Sequence, residues 1–172
     1  MLKLFGSTLI LGACAGTGWM RSRDLRNRPR LLAGLQASLG VLATEIAYGA
    51  TPLPEAMIQV SRCSSRPANG LFAVAGQRLR EAQGRSAAEI WRSCLDEWLP
   101  GTSLEKSDGE ELGRLALGLG TAPRDDQLAR IHEVKNRLAL QERDARELVE
   151  RMGKVWSYGG ALIGSVIVLV IW

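Results

Sequence analysis

His132 is the only histidine in the chain, and the three cysteines, Cys14, Cys63 and Cys94, are widely separated. A Cys–His nucleophile pair or a zinc site needs these residue types at ligand or hydrogen-bonding spacing. No pair of cysteines has such spacing, and an odd number does not make a disulfide framework. His132 lies in the charge-rich stretch "ARIHEVKNR", where an imidazole is ordinarily solvated. Glu45 and Glu55 flank a turn and together would suit general acid–base work, but surface or capping glutamates explain them better. The stretch "GLGTAP" at 118–123 has the glycines of a phosphate loop without its lysine, and it follows a helical pattern rather than a strand. These residues therefore predict no catalytic site, no metal site and no cofactor.

One stretch keeps a chemical character that its local structure does not require. In "ATEIAYGATPLPEA", residues 43–56, a turn needs the glycine and prolines but not Glu45, Tyr48, Thr51 and Glu55 around them. A tyrosine and two acids on a turn suit a docking surface for a protein partner. The simpler reading is that Tyr48 packs on the helix that follows and Thr51 caps it.

The elements that would position these residues read as helices throughout. In "RLLAGLQASLGVLATEIAYG", Leu31, Leu32, Leu35, Leu39, Leu42 and Ile46 recur at helical spacing, with Gly49 as a stop. A second helix begins at "TPLPEAMIQVSR", with Thr51 as N-cap and Pro52 at the first helical position. A third is expected from about Asn69 to Gln83, stopped by Gly84. Ser86 and Glu89 form a capping box for a fourth, whose apolar face is Ile90, Trp91, Cys94, Leu95, Trp98 and Leu99. "SDGEELGRLALGLG" makes a short fifth. The sixth runs from Asp125 to Met152 with Leu128, Ile131, Val134, Leu138, Ala145, Val149 and Met152 on one face. Its other face carries acid-before-base pairs at i,i+4, from Asp126–Arg130 to Glu147–Arg151.

Two stretches without charge flank this region, residues 4–20 and 155–172, each near the shortest length that spans a bilayer as helix. Trp156, Tyr158 and Trp172 stand at the ends of the second like interfacial anchors. Arg21, Arg23, Arg26, Arg28 and Arg30 follow the first stretch, and Arg151 and Lys154 precede the second. Both flanks orient the intervening region to the cytoplasm under the positive-inside rule. An arginine cluster abutting an apolar stretch reads as a membrane-orienting element touching anionic lipid rather than as a nucleic-acid site. Gly12 and Gly16, with Gly160 and Gly164, give each stretch a small-xxx-small face for helix packing. The sequence "LGAC" ending at Cys14 has the form of a lipobox, but lipidation there would export the arginine cluster and leave the second stretch without a purpose. Only Gly153 separates the sixth helix from the second stretch, which allows a single rod with a hinge there.

The expected organisation is thus an N-terminal transmembrane segment at 1–20, a basic juxtamembrane linker at 21–30, a compact six-helix domain at 31–153, and a C-terminal transmembrane segment at 155–172. "RPRLLAGLQASLGVLATEI" leading into "TEIAYGATPLPEA", the "AAEIW" helix, and "LGLGTAPRDDQLARI" before a long helix together resemble the stage III sporulation protein AB family over the whole chain. That resemblance implies an all-α bundle similar to the cytoplasmic domain of the type II secretion F protein. It implies a membrane platform in a secretion-like complex between mother cell and forespore, with the soluble domain facing the cytoplasm. The implied partners are the stage III sporulation protein AA ATPase and other proteins of the stage III sporulation A complex; a homo-oligomer is a separate possibility that the sequence leaves open. The rival expectation is an extracytoplasmic, lipoprotein-like structural domain linking the two membranes.

Overall fold

The computed structural model describes residues 26–49, 51–82 and 84–171, with side chains as far as residue 152. Six α-helices make up the described chain: α1 (Arg26–Tyr48), α2 (Leu53–Cys63), α3 (Ala68–Arg80), α4 (Ala87–Trp98), α5 (Lys106–Gly113) and α6 (Arg124–Ile171). Single 3₁₀ turns, Leu99–Gly101 and Arg114–Ala116, follow α4 and α5, and no strand occurs among the described residues. The Arg21 and Arg23 side chains, Gly12, Gly16 and Cys14 lie outside the described residues, as do the side chains beyond residue 152.

The central element is α1. It is long and apolar enough to cross a membrane by length and composition. Its leucines are nevertheless committed to the protein interior: Leu32, Leu35, Leu39 and Leu42 are all 0% exposed. Burying such side chains stabilises the fold by about 1.5–3 kcal/mol each. A helix with this stripe and a polar opposite face belongs in a bundle core. α6 runs antiparallel to α1, since Gln36 Nε2 donates to Glu142 Oε2 at 2.6 Å while Gly40, later in α1, lies against Lys135, earlier in α6.

α2 and α3 form a tight hairpin on this pair. α2 passes close to Gly76 of α3, where a Cβ would stand 2.7 Å from Ile58 Cγ1 and 2.9 Å from the Pro54 carbonyl oxygen. α4 closes the core with Ile90, Trp91, Cys94 and Leu95, all buried. The Trp91 ring packs on Phe72 with centroids 5.7 Å apart, and its Nε1 donates to the Leu112 carbonyl at 2.9 Å. That bond satisfies the one polar atom of a fully buried indole and ties α4 to α5.

Local signals fare unevenly. The Ser86–Glu89 capping box is present in both directions, with Glu89 N donating to Ser86 Oγ at 3.2 Å and Ser86 N donating to Glu89 Oε2 at 3.1 Å. Thr51 is not the N-cap of α2; Pro52 holds that place without a side-chain hydrogen bond, and α2 starts at Leu53. The two prolines set the backbone there, so the hydroxyl is not needed for the turn. α3 stops at Arg80 rather than Gln83, and the left-handed Gly84 follows it, with φ of 91°.

α6 is one continuous helix of 48 residues that crosses Gly153 without a break. At 1.5 Å per residue that is roughly 72 Å, far longer than the bundle needs. Ile131, Val134, Leu138 and Ala145 face the core, whereas Leu148 and Met152 are already exposed, so the helix leaves the bundle near residue 148. Three of the i,i+4 pairs close along it, Glu133–Arg137, Glu142–Arg146 and Glu147–Arg151, and two of them also reach neighbouring helices, Glu142 to Gln36 and Arg137 to Glu111.

Candidate docking corner and the buried ion pair

Glu45, Tyr48, Thr51 and Glu55 gather at the corner where α1 turns into α2. The last turn of α1 closes with Gly49 N donating to the Glu45 carbonyl at 2.8 Å. A Cβ at Gly49 would be 2.5 Å from that same carbonyl oxygen and 2.8 Å from Thr51 Oγ1, so only glycine fits the turn as built.

Two clefts meet at Thr51. The larger, ≈ 670 Å³, lies between the corner and the start of α6 and is lined by Tyr48, Gly49, Thr51, Gly120, Arg124 and Gln127. Arg124 Nε donates to the Ile46 carbonyl and pins the corner to α6. Gly118 and Gly120 shape the facing loop, with φ of 105° and 76°. These are left-handed values that glycine adopts without a steric penalty. The glycines of "GLGTAP" therefore make a turn that packs against Leu53 and Ala87, not a phosphate cradle. The smaller cleft, ≈ 340 Å³, is lined by Glu45, Thr51, Glu55, Arg62 and Arg80 among others. Glu55 is paired across it with Arg80 Nε at 3.2 Å.

Tyr48 does not pack on α2, contrary to the simpler expectation. It is 88% exposed, the most exposed large hydrophobic side chain among the described residues. Its helix ends before the ring can reach α2, and the intervening turn carries it outward. His132 is exposed on α6, Cys94 is buried, and Cys63 is free and exposed. Burial pushes the Cys94 thiol above its ordinary pKa, partly offset by Arg78 nearby. No cluster of three or more metal-binding side chains occurs among the described residues.

The arginines divide in a way that their sequence does not reveal. Arg26 and Arg30 are exposed, but Arg28 points inward. Its Nε and Nη2 donate to the two carboxylate oxygens of Asp108 at 2.8 and 2.9 Å, and its Nη1 donates to Glu105 Oε1 at 2.6 Å. Asp108 is 0% exposed, and its Oδ2 also accepts from Glu105 N at 2.8 Å, capping α5. The hydrogen bond to Asp108 raises the Arg28 pKa above its ordinary value, against desolvation. Arg28 is thus a structural tie between α1 and α5, and its charge is not free for a membrane surface. Asp108 reads in sequence as a first-turn acid of a short helix; nothing local signals a partner in α1.

A family description, stage III sporulation protein AB, matches residues 3–172. The chain belongs to the stage III sporulation protein AB family. It is 31% identical over 171 residues to the stage III sporulation protein AB of Bacillus subtilis (strain 168), covering 99% of both chains. A solved structure of stage III sporulation protein AB superposes with a TM-score of 0.67 at 31% identity, covering 72% of this chain and 97% of that one. A family role in sporulation and an all-helical fold are therefore properties of this chain as well.

Proposed function

We propose that the chain is a non-enzymatic membrane platform subunit of a secretion-like sporulation complex between mother cell and forespore, docking an ATPase to the channel. The observation that carries this reading is the α1–α2 corner. An 88% exposed tyrosine stands there on a backbone held by Arg124 and Gly49. An exposed tyrosine on a held backbone, beside clefts carrying both charge signs, suits a protein partner, because a tyrosine has only two side-chain torsions to lose on binding. The length of α6 beyond the bundle supports the membrane half of the reading: it leads into the uncharged sequence 155–172 as one rod. The bundle then sits at the cytoplasmic face, similar in arrangement to the type II secretion F protein.

Co-purification of the stage III sporulation protein AA ATPase with the full chain from membranes tests the docking. Tyr48→Asp is expected to abolish capture, and Arg92→Gln, an exposed change on α4, to preserve it. Equal capture by both variants, or none by the wild type, would sink the docking role. Orientation is tested separately in a Cys14→Ser background. The exposed Cys63 thiol should react with an impermeant maleimide only after the cells are lysed. Labelling of intact cells would favour the extracytoplasmic alternative.

A further inference from the structure

At the end of the bundle opposite the docking corner, a cleft of ≈ 640 Å³ opens between the first turn of α1, the α2–α3 connection and the 3₁₀ turn after α4. Arg30 from α1 and Arg66 from the α2–α3 connection line it together with Asn27, Ser65, Thr102 and Ser103, and no acid does. Among the described residues neither arginine has a carboxylate within ion-pair distance, whereas the nearby Glu105 and Asp108 are both taken by Arg28. Thr102 is held in place by donating its hydroxyl to the Leu99 carbonyl at 2.8 Å, and Trp98 Nε1 anchors the Pro67 carbonyl across the rim at 3.3 Å. The Thr102 and Pro67 parts of the wall are held in this way, and the polar side chains lining the opening are two guanidinium groups, one amide and three hydroxyls.

We infer that this cleft binds a phosphate group. Two guanidinium forks, with the Ser65 and Ser103 hydroxyls beside them, match the oxygens of a phosphate. The position also names the nearest source. Gln36 pairs with Glu142, so in the antiparallel register Asn27 and Arg30 lie level with residues near 148–151 of α6. From there the uncharged stretch at 155 is only about 6–10 Å further along the helix. Given the membrane reading above, that height is beside the headgroup layer, and an anionic phospholipid supplies the phosphate. Free inorganic phosphate has the same chemistry and is separated by experiment.

The full chain is purified in detergent and probed in two arms. One titrates phosphatidylglycerol against phosphatidylcholine by native mass spectrometry; the other titrates inorganic phosphate, read from the arginine Nε–H resonances. The double variant Arg30→Gln/Arg66→Gln is compared with Arg85→Gln/Arg92→Gln, which removes the same charge elsewhere. Helicity and thermal midpoint confirm that both fold. Retention of phosphatidylglycerol over phosphatidylcholine should weaken about 30-fold in the first variant, the factor expected of two basic residues at an anionic surface, and little in the second. Dependence on Arg30 and Arg66 in the inorganic phosphate arm alone assigns the site to free phosphate. Equal binding by the two variants in both arms overturns the proposal. A failure of the membrane reading shows separately, as full chain recovered without detergent from the soluble fraction.

Discussion

At the scale of the residue, Arg28 and Asp108 carry the most consequence. Both charges are withdrawn from water, and the bidentate geometry with the added Glu105 contact is what makes that tolerable. Removing one partner leaves the other buried and uncompensated, which costs about 3–5 kcal/mol. Asp108→Ala should therefore lower stability by that much in urea or guanidinium unfolding. Glu105→Gln, at a half-exposed position, should cost no more than about 1 kcal/mol. The exposed Arg78–Glu97 pair on α3 and α4 behaves differently. The Arg78 hydrogen bonds, at 2.7 Å, hold the Glu97 carboxyl below its usual range. A carboxylate whose pKa falls on folding stabilises the native state above the unfolded value, about 4.3 for Glu, and loses that contribution as pH drops through the folded value. The difference in thermal midpoint between wild type and Glu97→Gln should accordingly be largest near neutrality and vanish in strong acid. The effect is small, since the pair is solvent-screened.

At the scale of the element, the helices themselves were legible because each carries its own period and punctuation. The Ser86–Glu89 box and the apolar face of α4 are local signals that the structure reproduces atom by atom. What local signals misjudged were ends. Thr51 has the chemistry of an N-cap, but the Pro52 and Pro54 backbone already directs the turn into α2. Close helix contact was equally invisible: Gly76 sits in "FAVAGQRL" like any helix glycine, yet α2 passes so near that a methyl group there would meet both a side chain and a carbonyl. Helix propensity alone would make Gly76→Ala favourable by about 1 kcal/mol. The contact reverses the sign, and Gly76→Ala is expected to destabilise the chain by about 1–3 kcal/mol through overpacking, measured as a lowered denaturation midpoint.

At the scale of the whole molecule, α6 joins the bundle to the uncharged sequence at 155–172 without interruption at Gly153. A continuous rod holds the bundle at a set height and rotation above whatever its far end enters. Proline within it would remove a backbone hydrogen bond and clash with the preceding turn, costing about 3 kcal/mol or more locally and kinking the rod. Gly153→Pro should leave the urea midpoint of the bundle unchanged, because residue 153 lies beyond the last core position, Ala145. The same variant should fail to restore sporulation in a strain lacking the chain. Normal sporulation by the variant would show that rigid coupling through α6 is dispensable.

The all-helical class, the apolar faces, the capping box and the uncharged ends all followed from sequence, since each depends on neighbours within a few turns and on composition. So did the gathering of Glu45, Tyr48, Thr51 and Glu55 at one corner, because a single short turn joins them. Tertiary structure alone decided that Tyr48 stands out in solvent and that Arg124 braces its corner from 78 positions along the chain. It alone divided one arginine run into an inward Arg28 and an outward Arg30 that lines a cleft with Arg66. In sequence all these arginines carry the same charge; only the packing of distant helices determines whether water, a carboxylate or an open cleft faces each one.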